Sequence, residues 1–403
     1  MSPTVQIGNI LFHYRKDTLQ KIENSQGDVR VQIQQYLPIH FIYGKWNLEK
    51  KFIKDIEEIL RAIVALEKKT RDPIKAADAA DHLFNSFTPF WLENLQNAKH
   101  IQAKQLWIEI IELTKKVERN RNRHIHKGTP YYFLATTYLD ELDTEVAINF
   151  LHEGVEEDKG LQKRSRGKRK AVDAPGFKTI SLNKGLKNFL APNVNYIRNN
   201  ILEKYLRYYN RIIGDSLQLS TLDKVFLQNE KYQEETFVLA HFLYWTFRWS
   251  RLSKYLSVNN SFANFSMMRM QSLLAGIIEQ LLRHAYGKRT FGKNYYALYA
   301  EEQAISTNQA KEEMDAFVEY LGWNRNIDKA LIASLDWKPS KNSPIKDRRY
   351  VALLIALQFR NHCAHQLSAT RSIADNSERI TIILFIALFI VIRKLQSKLP
   401  GII

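Results

Sequence analysis

Cysteine is nearly absent from this chain: Cys363 stands alone among 403 residues. A single thiol excludes an intramolecular disulfide, and without a CxxC pair or a Cys/His array no structural zinc site can be read. Glycine (15) and proline (10) are scarce too, which favours helix over sheet. Few stretches alternate polar with apolar residues for long, so half-buried strands are not expected. Acidic residues (42) are outnumbered by Lys and Arg (59), leaving a formal net charge of +17. The most apolar run, Ile380 to Ile392 between Arg379 and Arg393, falls short of the ~18 to 20 residues of a bilayer crossing. It reads as a helix buried in a core or an oligomer interface, with no membrane partner. The opening MSPTVQIGNILFHYRKD lacks the order of a secretory signal, and with one free thiol a reducing cytoplasm is the expected setting.

What is present is a 45% hydrophobic composition rich in Leu, Ile, Lys, Glu and Asn, enough for two or three cores and suited to helices. The expected class is all-α, multi-helix. The positive charge points to a polyanion, nucleic acid first, through long-range steering and counterion release.

In the N-terminal part, Phe52, Ile56, Leu60, Ile63 and Leu66 recur at helical spacing, with breaks at Asp72-Pro73 and Thr88-Pro89. Ala103 to Arg119 reads as a helix with Leu106, Ile110, Leu113 and Val117 on one stripe. Beyond it, Gly128 suits a helix C-cap, Thr129 the next N-cap and Pro130 a first helical residue. Tyr131, Leu134, Ala135, Tyr138, Ala147, Leu151 and Gly154 resemble one tetratricopeptide unit, in which small residues let two helices approach. No second copy follows, so a helical hairpin is expected. Lys159 to Lys178, with Arg164, Arg166, Lys168, Arg169 and Lys170 around Gly167, reads as a self-repelling linker suited to RNA phosphates. The expected division is a helical domain over 1–160, a basic linker over 161–178 and a second helical domain over 179–403 with its core at about 255–403.

In the C-terminal part, Phe237, His241, Tyr244, Trp245 and Trp249 form an aromatic segment that reads as core. Ser261 to Ala285 is a long helix with Leu273, Leu274, Ile277, Leu281 and Leu282 on its apolar side, and a polar region with Trp323 and Trp337 precedes the final helices. Within Arg348 to Gln366, counted at 100° per residue, Tyr350, Leu353, Leu354 and Leu357 share a face that Arg360, Asn361, Ala364 and His365 continue. Polar groups in that position are costly unless they line a cleft, pair, or meet another subunit. His362 and Cys363 point off that arc.

Arg360, Asn361 and His365 resemble the signature of the HEPN family (higher eukaryotes and prokaryotes nucleotide-binding domain), whose ribonuclease members carry Arg, four to six residues, then His, often with Asn after the Arg. The resemblance covers roughly the last 150 residues: a long helix, an insertion, the motif helix and a final apolar helix. It implies an endoribonuclease that needs no metal or cofactor and leaves a 2′,3′-cyclic phosphate. His365 would move protons, Arg360 would stabilise the charge of the transition state, and Asn361 would orient the histidine or meet a phosphate oxygen. It also implies a homodimer with two motifs facing one groove, and a toxin–antitoxin or antiviral setting with a protein inhibitor or activator, here assigned to the N-terminal helices. The octet Arg119 to His126 repeats the pattern in two registers, Arg119-Asn120 with His124 and Arg121-Asn122 with His126. Alternating Arg and Asn produce that pattern cheaply, so it reads as a second half-site only secondarily, and first as an RNA-contacting patch or helix-end cap. The competing class is a non-catalytic helical RNA-binding or adaptor protein; nucleotide sensing is a third reading.

Overall fold

The structure is a computed structural model that describes residues 4–7, 10–13, 39–41, 50–121, 123–188, 190–253, 261–287, 292–323, 325–365 and 371–398. The all-α expectation holds: apart from three short N-terminal strands, every regular element among the described residues is helical. Strands β1 (Thr4–Ile7), β2 (Ile10–His13) and β3 (Ile39–Phe41) pair antiparallel in that order. The chain divides into two compact units, Met1–Ile180 and Ser181–Ile403.

In the first unit, helices α1 (Lys50–Thr70), α2 (Pro73–Asn85), α3 (Thr88–Gln96), α4 (His100–Arg121), α5 (Gly128–Asp140) and α6 (Thr144–Arg164) surround one core. Both proline breaks are helix starts. Asp72 caps α2 by accepting from the Ile74 and Lys75 amides, and Pro73 opens the helix, where no amide is missed. Trp91, Trp107 and Leu106 are buried among Ile63, Leu83 and Leu134, and the Trp91 indole donates to the Thr137 hydroxyl at 2.8 Å. Helices α5 and α6 form the expected hairpin, with Ala135, Ala147 and Leu151 fully buried where they meet and Tyr138 stacked on Phe150.

Gly128 is not a C-cap. It is the first residue of α5, and a Cβ there would lie 2.8 Å from His126 Cε1 and 3.2 Å from Asp158 Oδ1. Nor does Thr129 cap; its hydroxyl donates to Asp81 at 2.8 Å. The basic segment is folded rather than a self-repelling linker. Leu161–Arg164 complete α6, whose end is closed by the Arg166 amide on the Lys163 carbonyl and the Gly167 amide on the Gln162 carbonyl, with both residues at positive φ. A 3₁₀ turn (Ala171–Asp173) and α7 (Pro175–Ile180) follow, and Leu161, Ala171, Phe177 and Ile180 are buried.

The second unit opens with α8 (Ala191–Tyr196), which runs through a π turn (Ile197–Leu202) into α9 (Glu203–Ile213). The short helix α10 (Leu219–Leu222) passes likewise into a π turn (Asp223–Leu227). The two π turns are tied together. Arg198, buried in the first, donates both terminal nitrogens to Asp223 at 2.8 and 2.6 Å and one of them to the Leu182 carbonyl at 3.1 Å. Then come α11 (Gln233–Leu252), α12 (Ser261–Tyr286), α13 (Lys293–Gln303), α14 (Thr307–Tyr320), α15 (Ile327–Leu335), α16 (Arg348–His365), α17 (Arg371–Asp375) and α18 (Ser377–Lys398). The region around Trp323, read from sequence only as polar, is thus largely helical, with Trp323 and Trp337 buried and their indoles donating to Ser334 and Ser343.

Helices α12, α16 and α18 pack on one another, with α11 against α12 and α9 against α18. Helix α18, at 22 residues, is long and apolar enough to cross a membrane, which the shorter Ile380–Ile392 run did not suggest, but two thirds of its most apolar window is buried inside the unit. Its Phe385 stacks on Tyr205 of α9 at 4.2 Å between ring centres.

Candidate functional site

Helix α16 is buried on every side from Tyr350 to Leu357 and again at Phe359, rather than along the single stripe its angular pattern suggested. The change comes at Arg360 and Asn361, both half-buried, where the helix reaches a polar environment. Arg360 Nε lies 3.1 Å from Glu279 Oε2 of α12, and the Arg360 side chain retains 37% of its exposure. Glu279 is buried, and its other oxygen accepts from Arg283 one turn further along α12. A buried carboxylate requires such partners, and this one fixes the direction of the Arg360 fork by holding its Nε edge. Tyr295 of α13 is buried alongside. Its burial, reinforced by the Glu279 charge and opposed by Arg360, pushes the phenol well above its usual range.

The backbone of His365 closes α16, while the side chains of Cys363, Ala364 and His365 lie outside the described residues, as does Gln366. His362, expected to point off the active arc, is buried, and neither ring nitrogen has a hydrogen-bond partner among the described residues. Burial lowers its pKa against the pull of Asp328, which favours the neutral form of the ring. Glu279 was not named from sequence. Its signal was a lone carboxylate inside the apolar run Leu273–Leu282, which needs a partner if the helix is core.

The second motif copy lies in the other unit and is surrounded by carboxylates. Asn122 and the side chain of Arg121 are outside the described residues, whereas His126 is buried with Nε2 3.0 Å from Asp158 and Nδ1 3.3 Å from Asp81. Burial pulls the His126 pKa down, but the bonds to Asp158 and Asp81 outweigh it and lift it to about 9. Burial raises Asp81 in turn, but His126, Arg169 and Thr129 outweigh that and bring it down to about 2. Asp158, without the same support, is raised by burial. The ring is therefore an imidazolium between two carboxylates. His124 bridges Glu118 (3.2 Å) and Glu157 (2.8 Å), and the buried Lys127 ammonium meets the same two acids at 2.6 and 3.1 Å. Arg119 is exposed on α4.

Arg169 leaves the basic cluster to clamp α2, with Nη1 donating to Asp78 at 3.1 Å and Nη2 to Asp81 at 2.9 Å. An open cavity of about 530 Å³ lies there, bordered by Asp78, Asp81, His82, Asn85, Lys168 and Arg169. Lys168 at its edge is exposed, as are Arg164, Arg166 and Lys170 in the same basic segment.

Helix content and packing define an all-α, multi-helix protein. Comparison with protein-family models, curated proteins and solved structures returned no match, so any closer assignment rests on the residues themselves.

Proposed function

We propose that the second unit is a metal-independent endoribonuclease of the HEPN type, with Arg360, Asn361 and His365 as its working residues. The observation that carries this reading is the end of α16, where a helix buried on all sides opens at Arg360 and Asn361 and seats the arginine on the buried Glu279. An arginine aimed by a buried carboxylate suits a transition state that gathers charge on phosphate oxygens, because its fork need not be reoriented as the charge develops. His365 follows one turn and a residue later on the same helix. In the proposed reaction a ribose 2′-oxygen attacks the adjacent phosphorus, its proton passes to an imidazole, and the 5′-oxygen leaves with a proton. The products are a 2′,3′-cyclic phosphate and a 5′-hydroxyl. Two histidines are needed for simultaneous base and acid roles, so the active form is a dimer in which two such motifs meet. A role as a toxin or antiviral effector, with an inhibitor or activator engaging the first unit, belongs to the same proposal.

The non-catalytic RNA-binding or adaptor reading draws on the Arg360–Glu279 contact itself, which would equally serve to tie α16 to α12. Incubation with RNA in EDTA separates the two. Wild type is expected to cleave, Arg360→Ala and His365→Ala to lose at least about a hundredfold in rate, and His126→Ala to retain cleavage. Arg360→Lys, which keeps the charge but not the fork, should also be slow. Intact RNA with every folded variant would remove the ribonuclease reading, and equal losses at His365 and His126 would relocate the site.

A further inference from the structure

The continuous helix formed by α8, its π turn and α9 has two unlike sides. Val194, Ile197, Ile201, Leu202, Tyr205, Leu206 and Tyr209 are buried against the unit, with the paired Arg198 among them. The outer side carries Tyr196, Asn200, Lys204, Arg207, Tyr208 and Arg211, of which Tyr196 is 47% exposed and Asn200, Arg207 and Arg211 are exposed. The π turn brings the two ends of this face together. It adds a residue to the turn, so that Tyr196, Asn200, Lys204 and Tyr208 follow one another at four-residue steps without drifting round the helix.

Cation and ring are already interleaved on this face. The Arg211 guanidinium lies 5.0 Å from the centre of the Tyr208 ring and the Lys204 ammonium 5.8 Å from it, while Tyr196 rests one edge on Phe247. Lys204 also meets the exposed Glu378 at 3.0 Å, a solvent-screened contact that a phosphate can replace. Neither Arg207 nor Arg211 has an ion pair among the described residues, and the nearest acid on the helix itself is the half-buried Glu203.

We propose that this face is a binding surface for single-stranded RNA. Arginine forks take phosphate oxygens, a tyrosine ring flanked by cations can stack on an unpaired base, and the Asn200 amide can meet a base edge. A duplex keeps its bases stacked inside and offers nothing to Tyr196 or Tyr208, which is why the composition favours a single strand. An anionic membrane is a poorer fit, because a membrane-surface helix turns its apolar side outward, whereas here that side is the one packed into the unit. From Tyr196 to Arg211 the helix spans about 20 Å at 1.5 Å per residue, long enough to track a short run of nucleotides. The choice of RNA over other single strands rests on the ribonuclease reading above; the polyanion and its unpaired bases follow from the face alone.

The test is fluorescence anisotropy of a labelled 2′-O-methyl oligouridine with the intact protein between about 50 and 200 mM salt. That strand lacks the attacking hydroxyl, so binding is read without cleavage. Arg207→Gln/Arg211→Gln should weaken binding at least tenfold and flatten the slope of log K against log salt by about 1.4, or 0.7 for each single-strand phosphate that is no longer neutralised. Tyr208→Ala should weaken it roughly tenfold, with Tyr208→Phe close to wild type. Lys311→Gln, at an exposed cation of α14 outside both surfaces, should bind as wild type does. The proposal is overturned if the correctly melting α9 variants bind like wild type, if only Arg164→Gln/Lys168→Gln loses binding, if wild type does not bind the strand, or if the α9 changes abolish binding to phosphatidylserine vesicles but not to RNA. Binding through this face by a protein that never cleaves ordinary RNA would sink the ribonuclease reading and leave this surface standing.

Discussion

Neither ring nitrogen of His126 is left to accept a proton, since Asp81 occupies one and Asp158 the other. The consequence is thermodynamic. A histidine whose folded pKa is about 9 against an ordinary 6.5 adds stability that is complete below pH 6.5 and disappears as the pH climbs toward 9. The upper bound is on the order of 3 kcal/mol. The melting temperature of wild type should therefore fall across that window, and His126→Gln should start lower and fall less, with His124 accounting for the remaining slope. A profile for His126→Gln parallel to that of wild type would contradict the buried imidazolium. The same residues mark how far single positions can be read in advance. His365 and His126 present the same letters five residues after an arginine, and only the partners brought from α2 and α6, 45 and 32 positions away, set the second apart. Glu279 was hidden for the same reason: its meaning depends on Arg360, far along the chain.

At the scale of elements, periodicity was a good guide. The long helices α4, α12 and α16 lie within a few residues of their expected bounds, and the small residues Ala135 and Ala147 do sit where α5 and α6 meet. Glycines were less transparent. Gly154 looked like the residue that permits close approach, yet a Cβ there would sit 3.5 Å from Tyr131 Cβ, an ordinary contact, whereas Gly128 has no room beside His126. Gly154→Ala should leave stability unchanged or raise it by up to about 1 kcal/mol through helix propensity. Gly128→Ala should cost about 1 to 3 kcal/mol by displacing the imidazole from its carboxylates. Urea denaturation of the two variants checks the contrast, and the reverse order would refute it. The π turns could not have been anticipated, because what holds them is the Arg198–Asp223 pair, which joins two helices through a bond no local pattern encodes.

For the whole molecule, composition correctly indicated an all-α chain, and the apolar C-terminal run is indeed buried, within a longer helix than expected. What composition could not do was say where the positive charge is spent. Arg169, Lys127 and Arg198 are consumed by internal carboxylates, while Arg164, Arg166, Lys168, Arg207 and Arg211 remain at the surface. The proposed chemistry sets an expectation for assembly as well. Sedimentation at micromolar concentration should give about twice the 47.3 kDa of one chain, and a protein that cleaves RNA as a strict monomer would break the link between dimer and activity.

The closed end of α6 bears on how this protein can be taken apart. A run of Lys and Arg around a glycine is where one would ordinarily divide a chain to study its halves separately. Here that cut would pass between Gln162 and the Ala171 amide it holds, and would detach the arginine that reaches back to Asp78 and Asp81. The seam that respects the packing falls later, between Ile180 and Ser181, so that the basic turn stays with the helices whose acids keep it in place.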